Sequence, residues 1–292
     1  MINPIYFKIS DFNFELKATN QKAKIKLNEF LEPFRIKQPG QVDLSILVRH
    51  ERQIELIDYT IMFRAEIIHS IDGKLIDWFI ASNQYGKLMG VKERNRDIPY
   101  VMMYFNEDVQ SWDLLINDTA DIQDPLKYPA GILMLYYFLL FHKTILLHSS
   151  GIFYQNRGMV FSACSGTGKT TMAKLWMKKG GILINDDRLI IRRIDGVYYM
   201  YNSPMLYPVQ PIKARVDFVF LLRQSNENYF FQVNGSEAVT RLFLSIIQHN
   251  YIKELVLKKM EIVRQLCADI PVYELGFLPD ESIIDFILNG NF

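Results

Sequence analysis

Ser162-Ala163-Cys164-Ser165-Gly166-Thr167-Gly168-Lys169-Thr170-Thr171 is the stretch that decides how this chain is read. The apolar run before it, Gly158-Met159-Val160-Phe161, has the character of a strand, and Met172-Ala173-Lys174-Leu175-Trp176-Met177 after it reads as a helix. Strand, glycine-rich turn and helix start together form a phosphate-binding loop. Successive backbone N–H groups and the positive helix end converge there on an anion. The reading assigns Ser165, Gly166, Thr167, Gly168, Lys169, Thr170 and Thr171 to nucleotide binding. Lys169 would place a point charge between the outer phosphates, and the Thr170 hydroxyl would take one position on Mg²⁺. The usual spacing is Gly-x-x-x-x-Gly-Lys-[Ser/Thr]; here Ala163 stands at the first glycine, a place alanine can hold while φ stays negative. These parts suit a nucleoside triphosphate, ATP or GTP, with Mg²⁺, and the chemistry they point to is phosphoryl transfer.

A second candidate element follows closely. Asp186 comes 17 residues after Lys169, in Asn185-Asp186-Asp187-Arg188, just behind the apolar strand Ile182-Leu183-Ile184. In open α/β sheets the ligand lies off the carboxyl ends of the strands, so these acids should face the same crevice as the loop. Alternation along an extended segment puts Asp186 and Arg188 on one face and turns Asp187 away, unless the chain bends there. One acid could hold the metal and another could accept the proton of an attacking hydroxyl. Arg188, Arg192 and Arg193 are the expected extra cations near the phosphates, and His148, on the preceding strand, could contact one.

With Ser165-Gly166-Thr167-Gly168-Lys169-Thr170, then a helix, then a strand ending in Asp186-Asp187-Arg188, residues 145–200 resemble the catalytic domain of the bacterial HPr kinase/phosphorylase family. The same fold group contains ATP-dependent phosphoenolpyruvate carboxykinase. The resemblance implies an α/β fold with Asp186 as general base for the acceptor hydroxyl. It also implies Lys169 and Thr170 on phosphates and metal, Asp187 supporting the metal or orienting Asp186, and His148 near the reaction. The family's Glu-x-Arg-Gly-Leu-Gly segment has no counterpart; that region reads Tyr201-Asn202-Ser203-Pro204-Met205-Leu206-Tyr207-Pro208. This points away from HPr as acceptor and from phosphorolysis, toward a diverged kinase of a serine or threonine on a protein or peptide. A small-molecule kinase and a non-catalytic nucleotide sensor or assembly factor are the alternatives.

Composition narrows the rest. Among 292 residues, 49% are hydrophobic and 22% charged, as in a folded globular chain. A formal net charge of +1 gives no global case for nucleic acid or an anionic membrane as partner. The Lys258 and Lys259 pair, with Glu254 and Glu261, reads as a solvated helix face. Two cysteines, Cys164 and Cys267, fit a reducing compartment. No secretion signal opens the chain, and the apolar run Ala130 to Phe141 is too short to span a bilayer, so the expectation is a cytoplasmic protein. The expected partner is a protein or peptide phospho-acceptor, with homo-oligomerisation left open.

Pattern divides the chain at Asp124-Pro125. Residues 1–124 show short period-two runs and turn signals such as Asp72-Gly73, predicting an antiparallel β-rich module that recognises the acceptor or a partner. Residues 125–292 alternate strands and helices, with helices predicted near 129–143, 170–179, 236–248, 252–268 and 279–288. The second half is therefore the α/β nucleotide-binding domain.

Overall fold

The computed structural model describes residues 3–19, 25–51, 58–66, 74–84, 86–106, 110–117, 124–163, 166–204, 209–248 and 252–290. The fold is mixed α/β, with two large mixed sheets and few helices. The chain forms two compact units: Met1–Phe138 with Pro204–Gln210, and Leu139–Ser203 with Pro211–Phe292.

The first unit carries β1 (Ile5–Ile9), β2 (Phe12–Ala18), β3 (Arg35–Ile36), β4 (Leu44–Glu51), β5 (Thr60–Glu66), β6 (Ile76–Asn83), β7 (Gly86–Glu93), β8 (Val101–Phe105) and β9 (Ser111–Asn117) in one sheet of order β3-β1-β2-β4-β9-β8-β7-β6-β5. Helix α1 (Ala130–Phe141) follows, and the division between units falls inside it rather than at Asp124-Pro125. The sheet is not the purely antiparallel module expected, because β2 pairs parallel to β4 and β4 parallel to β9. Hairpin signals reveal only antiparallel neighbours; parallel ones need long crossovers that leave no local mark. β5 and β6 are antiparallel with Glu66 opposite Asp77, while the Asp72-Gly73 turn read between them lies outside the described residues. Phe12, Phe14 and Leu16, alternate residues of β2, are buried, and Phe138 of α1 meets the Phe12 and Phe14 rings edge-on.

The second unit carries β10 (Ile145–Tyr154), β11 (Arg157–Ser162), α2 (Lys169–Lys178), β12 (Ile182–Asn185), β13 (Arg188–Ile194), β14 (Val197–Tyr201), β15 (Lys213–Arg215), β16 (Phe218–Gln224), β17 (Tyr229–Gln232), α3 (Gly235–Phe243), α4 (Lys253–Asp269), β18 (Val272–Phe277) and α5 (Ser282–Leu288). Its sheet has the order β15-β14-β13-β10-β11-β16-β18-β17, with β12 also on β10. β11, β16 and β18 are parallel and buried on both faces, which is why they read as unbroken apolar runs. Met159, Phe161, Phe220 and Leu222 pack with Trp176 of α2 and Ile284 of α5. The alternate residues Val160, Val219 and Leu221 pack with Leu242 of α3 and Val263 of α4. Helix α2 stops where the sequence placed its end: Gly180 takes φ +94°, and the N–H of Gly181 donates to the Trp176 carbonyl at 2.8 Å. Helix α3 ends at Phe243, short of the expected 248, because the next backbone segment bonds to β10 instead. There His148 N donates to Ser245 O at 2.7 Å and Ile247 N to Leu146 O at 3.0 Å. Among the described residues, no helix is long and apolar enough to cross a membrane.

Candidate functional site

Register brings two turns of the second unit to the same level of the sheet. Ser162, the last residue of β11, lies opposite Ser149 of β10. Along the other edge of β10, Ser149 N donates to the Asp187 carbonyl at 3.1 Å. β11 and β12 are both antiparallel to β10 and hence parallel to each other, so the glycine-rich and acidic turns leave carboxyl ends that point the same way. Two strand spacings separate them, about 10 Å.

The glycine-rich turn needs its glycines. Gly166 and Gly168 have φ of +80° and +112°, the left-handed region. At Gly168 space is also closed, since a Cβ would lie 2.6 Å from the Phe277 ring. Gly168 opens α2, its carbonyl accepting from Met172 N at 2.9 Å. The first N–H groups of a helix lack intrahelical acceptors and carry its positive end. Lys169 is buried, and its ammonium donates to the Ala163 carbonyl at 2.9 Å, so the turn closes around its own lysine. Thr170 is exposed, while Thr167 and Thr171 are half-buried. Cys164 and Ser165 lie outside the described residues.

Asn185 builds the acidic turn. Its side-chain oxygen accepts from the backbone N–H groups of Asp187 (2.9 Å) and Arg188 (3.0 Å). Its amide nitrogen lies 3.4 Å from the Ser203 hydroxyl, a donor distance at the edge of the range. The chain therefore bends at 186–187, and the strict alternation expected for Asp186, Asp187 and Arg188 gives way. Arg188 turns onto Asp187, its Nε donating to Oδ2 at 3.0 Å. Two same-face residues of β10 hold the acids: Ser150 Oγ donates to Asp186 Oδ1 at 3.1 Å, and His148 Nε2 lies 3.2 Å from Asp187 Oδ1. The two carboxylates thus differ in surroundings, Asp186 meeting a neutral hydroxyl and Asp187 an imidazole and a guanidinium. The hydrogen bond from His148, helped by the charge of Arg188, holds the Asp187 carboxyl below the ordinary carboxylate range despite its partial burial.

A cleft of about 960 Å³ opens beside the glycine-rich turn, lined by Gly166, Thr167 and Gly168 on one side and by Arg223, Gln224 and Tyr229 on the other. Gln224 ties the sides together, its amide donating to the Gly166 carbonyl at 3.2 Å.

Other expected residues fall elsewhere. Arg193 pairs with Asp269 at 3.3 Å, five residues along β13 from Arg188 and so roughly 15 Å away. Lys259 is not on a solvated face: it is fully buried, its ammonium donates to the Gln248 carbonyl at 2.8 Å, and burial lowers its pKa to about 8. Burial pushes the Cys267 thiol up to about 11, which leaves it unreactive. Sequence reasoning missed Ser150 and the 223–229 side of the cleft. Ser150 was accessible, two residues beyond His148 on an evident strand; Gln224 arrives through long-range pairing that leaves no local signal. Among the described residues, no group of three or more His, Cys, Asp or Glu side chains is placed to hold a metal.

No protein-family model and no curated protein matches the chain. Among solved structures, the Hpr(Ser) kinase/phosphatase from Coxiella burnetii is similar over 50% of this chain and 99% of that chain, with 10% identity and a TM-score of 0.30. That is a weak structural similarity.

Proposed function

We propose that the second unit is a nucleoside-triphosphate-dependent phosphotransferase that moves the γ-phosphate to a serine or threonine hydroxyl of a protein or peptide. The observation that carries the reading is the shared level of the two turns: a left-handed glycine turn with a buried lysine, and a pair of carboxylates across β10. In this reading the amides of residues 166–170 and the Lys169 ammonium bind the phosphates, with Lys169 exchanging the Ala163 carbonyl for phosphate oxygen. Asp186 removes the proton from the acceptor hydroxyl as its oxygen bonds to the γ-phosphorus. The bond from that phosphorus to the β–γ bridging oxygen breaks, and the nucleoside diphosphate leaves.

Mg²⁺ needs only one or two hard protein oxygens beside phosphate, and the site offers the exposed Thr170 hydroxyl and an ionised Asp187. Those residues would hold the ion, whose contribution is charge neutralisation on the phosphates. Arg188 and His148 keep Asp187 ionised and oriented.

Single-turnover transfer of labelled γ-phosphate to serine- and threonine-containing peptides, run beside calorimetric binding of ATP and GTP, tests the reading. Lys169→Ala should weaken nucleotide binding by about 100-fold or more. Asp186→Asn should bind nucleotide nearly as wild type and transfer about 10²–10⁴-fold more slowly. Equal transfer by wild type and Asp186→Asn removes Asp186 from the chemistry. A non-catalytic nucleotide sensor is the second reading, favoured by the His148 and Arg188 contacts that engage both oxygens of Asp187; it requires binding without transfer by the wild type.

A further inference from the structure

We propose that the cleft bounded by residues 166–168 and 223–229 receives the nucleoside half of the triphosphate, so that the phosphate chain runs from the β16 side of the loop toward the acidic turn. The inference rests on the phosphotransferase reading and adds to it a direction and a binding site for base and ribose. Strand order supplies the direction. β11, which delivers the loop, stands between β10 and β16. The carboxylates lie on the β10 flank, and a γ-phosphate must meet the group that deprotonates its acceptor, so the outer phosphate belongs on that flank. The nucleoside must then leave on the other flank, where β16 ends in Arg223 and Gln224 and leads into residues 225–227.

The cleft there has the size and chemistry of a small-molecule site. Its volume, about 960 Å³, exceeds what a nucleoside fills and matches pockets that bury ligands of that class. Gln224 fixes one wall to the loop through the Gly166 carbonyl. Tyr229 is braced over Gly276, where a Cβ would come within 2.1 Å of its ring, and its hydroxyl donates to buried Glu274 at 2.7 Å. This gives the wall a rigid aromatic ring. Asn226 and Glu227 bring amide and carboxylate groups suited to base edges or ribose hydroxyls. The Arg223 side chain, 68% exposed and 3.6 Å from Glu274, places a cation at the mouth, within character for the inner phosphate.

The test compares nucleotides with a bare phosphate chain. ATP, GTP and inorganic tripolyphosphate, each with magnesium, are titrated calorimetrically into wild type, Lys169→Ala, Tyr229→Leu and Asn226→Trp. Asn226 is exposed, so the tryptophan fills the cleft without disturbing the core even if Tyr229→Leu fails to fold. The expected result is a loss of roughly tenfold or more in nucleotide affinity for Asn226→Trp with tripolyphosphate binding kept within about twofold. Lys169→Ala should weaken all three ligands. Unchanged nucleotide affinity in Asn226→Trp, or an equal loss for nucleotide and tripolyphosphate, overturns the proposal while the Lys169 result still supports the phosphotransferase reading. If wild type binds none of the three, or Lys169→Ala binds all as wild type does, that reading falls and the proposal with it.

Discussion

At single residues, the site is held by restraints that composition cannot reveal. Gly166 and Gly168 both sit at positive φ, but only Gly168 is also walled in, by Phe277. Gly166→Ala should therefore cost about 1 kcal/mol of backbone strain, and Gly168→Ala several kcal/mol in urea unfolding, because the Phe277 ring must also move. The glycines were legible in the sequence as a motif; the extra constraint at Gly168 was not, since Phe277 comes from the last strand of the sheet. Lys259 is the opposite case, a residue whose neighbours Lys258, Glu254 and Glu261 made it read as solvated. Its lowered pKa, about 8 against an ordinary value near 10.5, means that the unfolded chain binds more protons between those limits. Stability attributable to Lys259 therefore rises with pH across that window. In paired urea titrations at pH 7.5 and pH 10, the difference between wild type and Lys259→Met should shift in favour of wild type at the higher pH. A difference independent of pH would mean that the ammonium is solvated after all.

Among elements, the turn between β12 and β13 is the most consequential. Asn185 accepts two backbone N–H groups and so sets where both carboxylates point. Asn185→Ala should lower transfer by about tenfold with nucleotide affinity near wild type, since the acids and not the loop are displaced. Asn185→Asp keeps the acceptor oxygen and should restore much of the rate, an outcome that a loss of general stability would not produce. Strands of the second unit were readable because each is an apolar or aromatic run between clear breaks, as with Ile145–Tyr154 and Val197–Tyr201. β15 and β17 escaped, being only 3 and 4 residues long. Pairing was less accessible than existence: nothing near Leu44 says that β4 lies between β2 and β9.

For the whole molecule, the division into units is not a single cut in the chain. Both candidate turns and the cleft belong to the second unit, whereas Pro204–Gln210 belongs to the first. The interruption falls between neighbouring strands of the second unit, for Asn202 Oδ1 accepts from Ile212 N at 2.9 Å just beyond the last β14–β15 pair, Tyr201 and Lys213. Residues 139–292 with 204–210 replaced by Asn-Gly should therefore fold cooperatively and bind nucleotide within about threefold of the full chain. If the first unit recognises the acceptor, this variant should transfer phosphate poorly, and equal transfer by both proteins would remove that role. The same interruption bears on synthesis. The first unit's sheet is complete once Asn117 has been made, yet the unit lacks its last segment until Gln210 is added. From Phe138 to Gln210 is 210 − 138 = 72 residues, a wait of about 4–14 s at ordinary elongation rates. Nascent chains arrested before position 204 should accordingly be cut by protease within the first unit more readily than chains arrested well beyond 210, and the speed of the ribosome across that interval sets how long each new molecule spends unfinished.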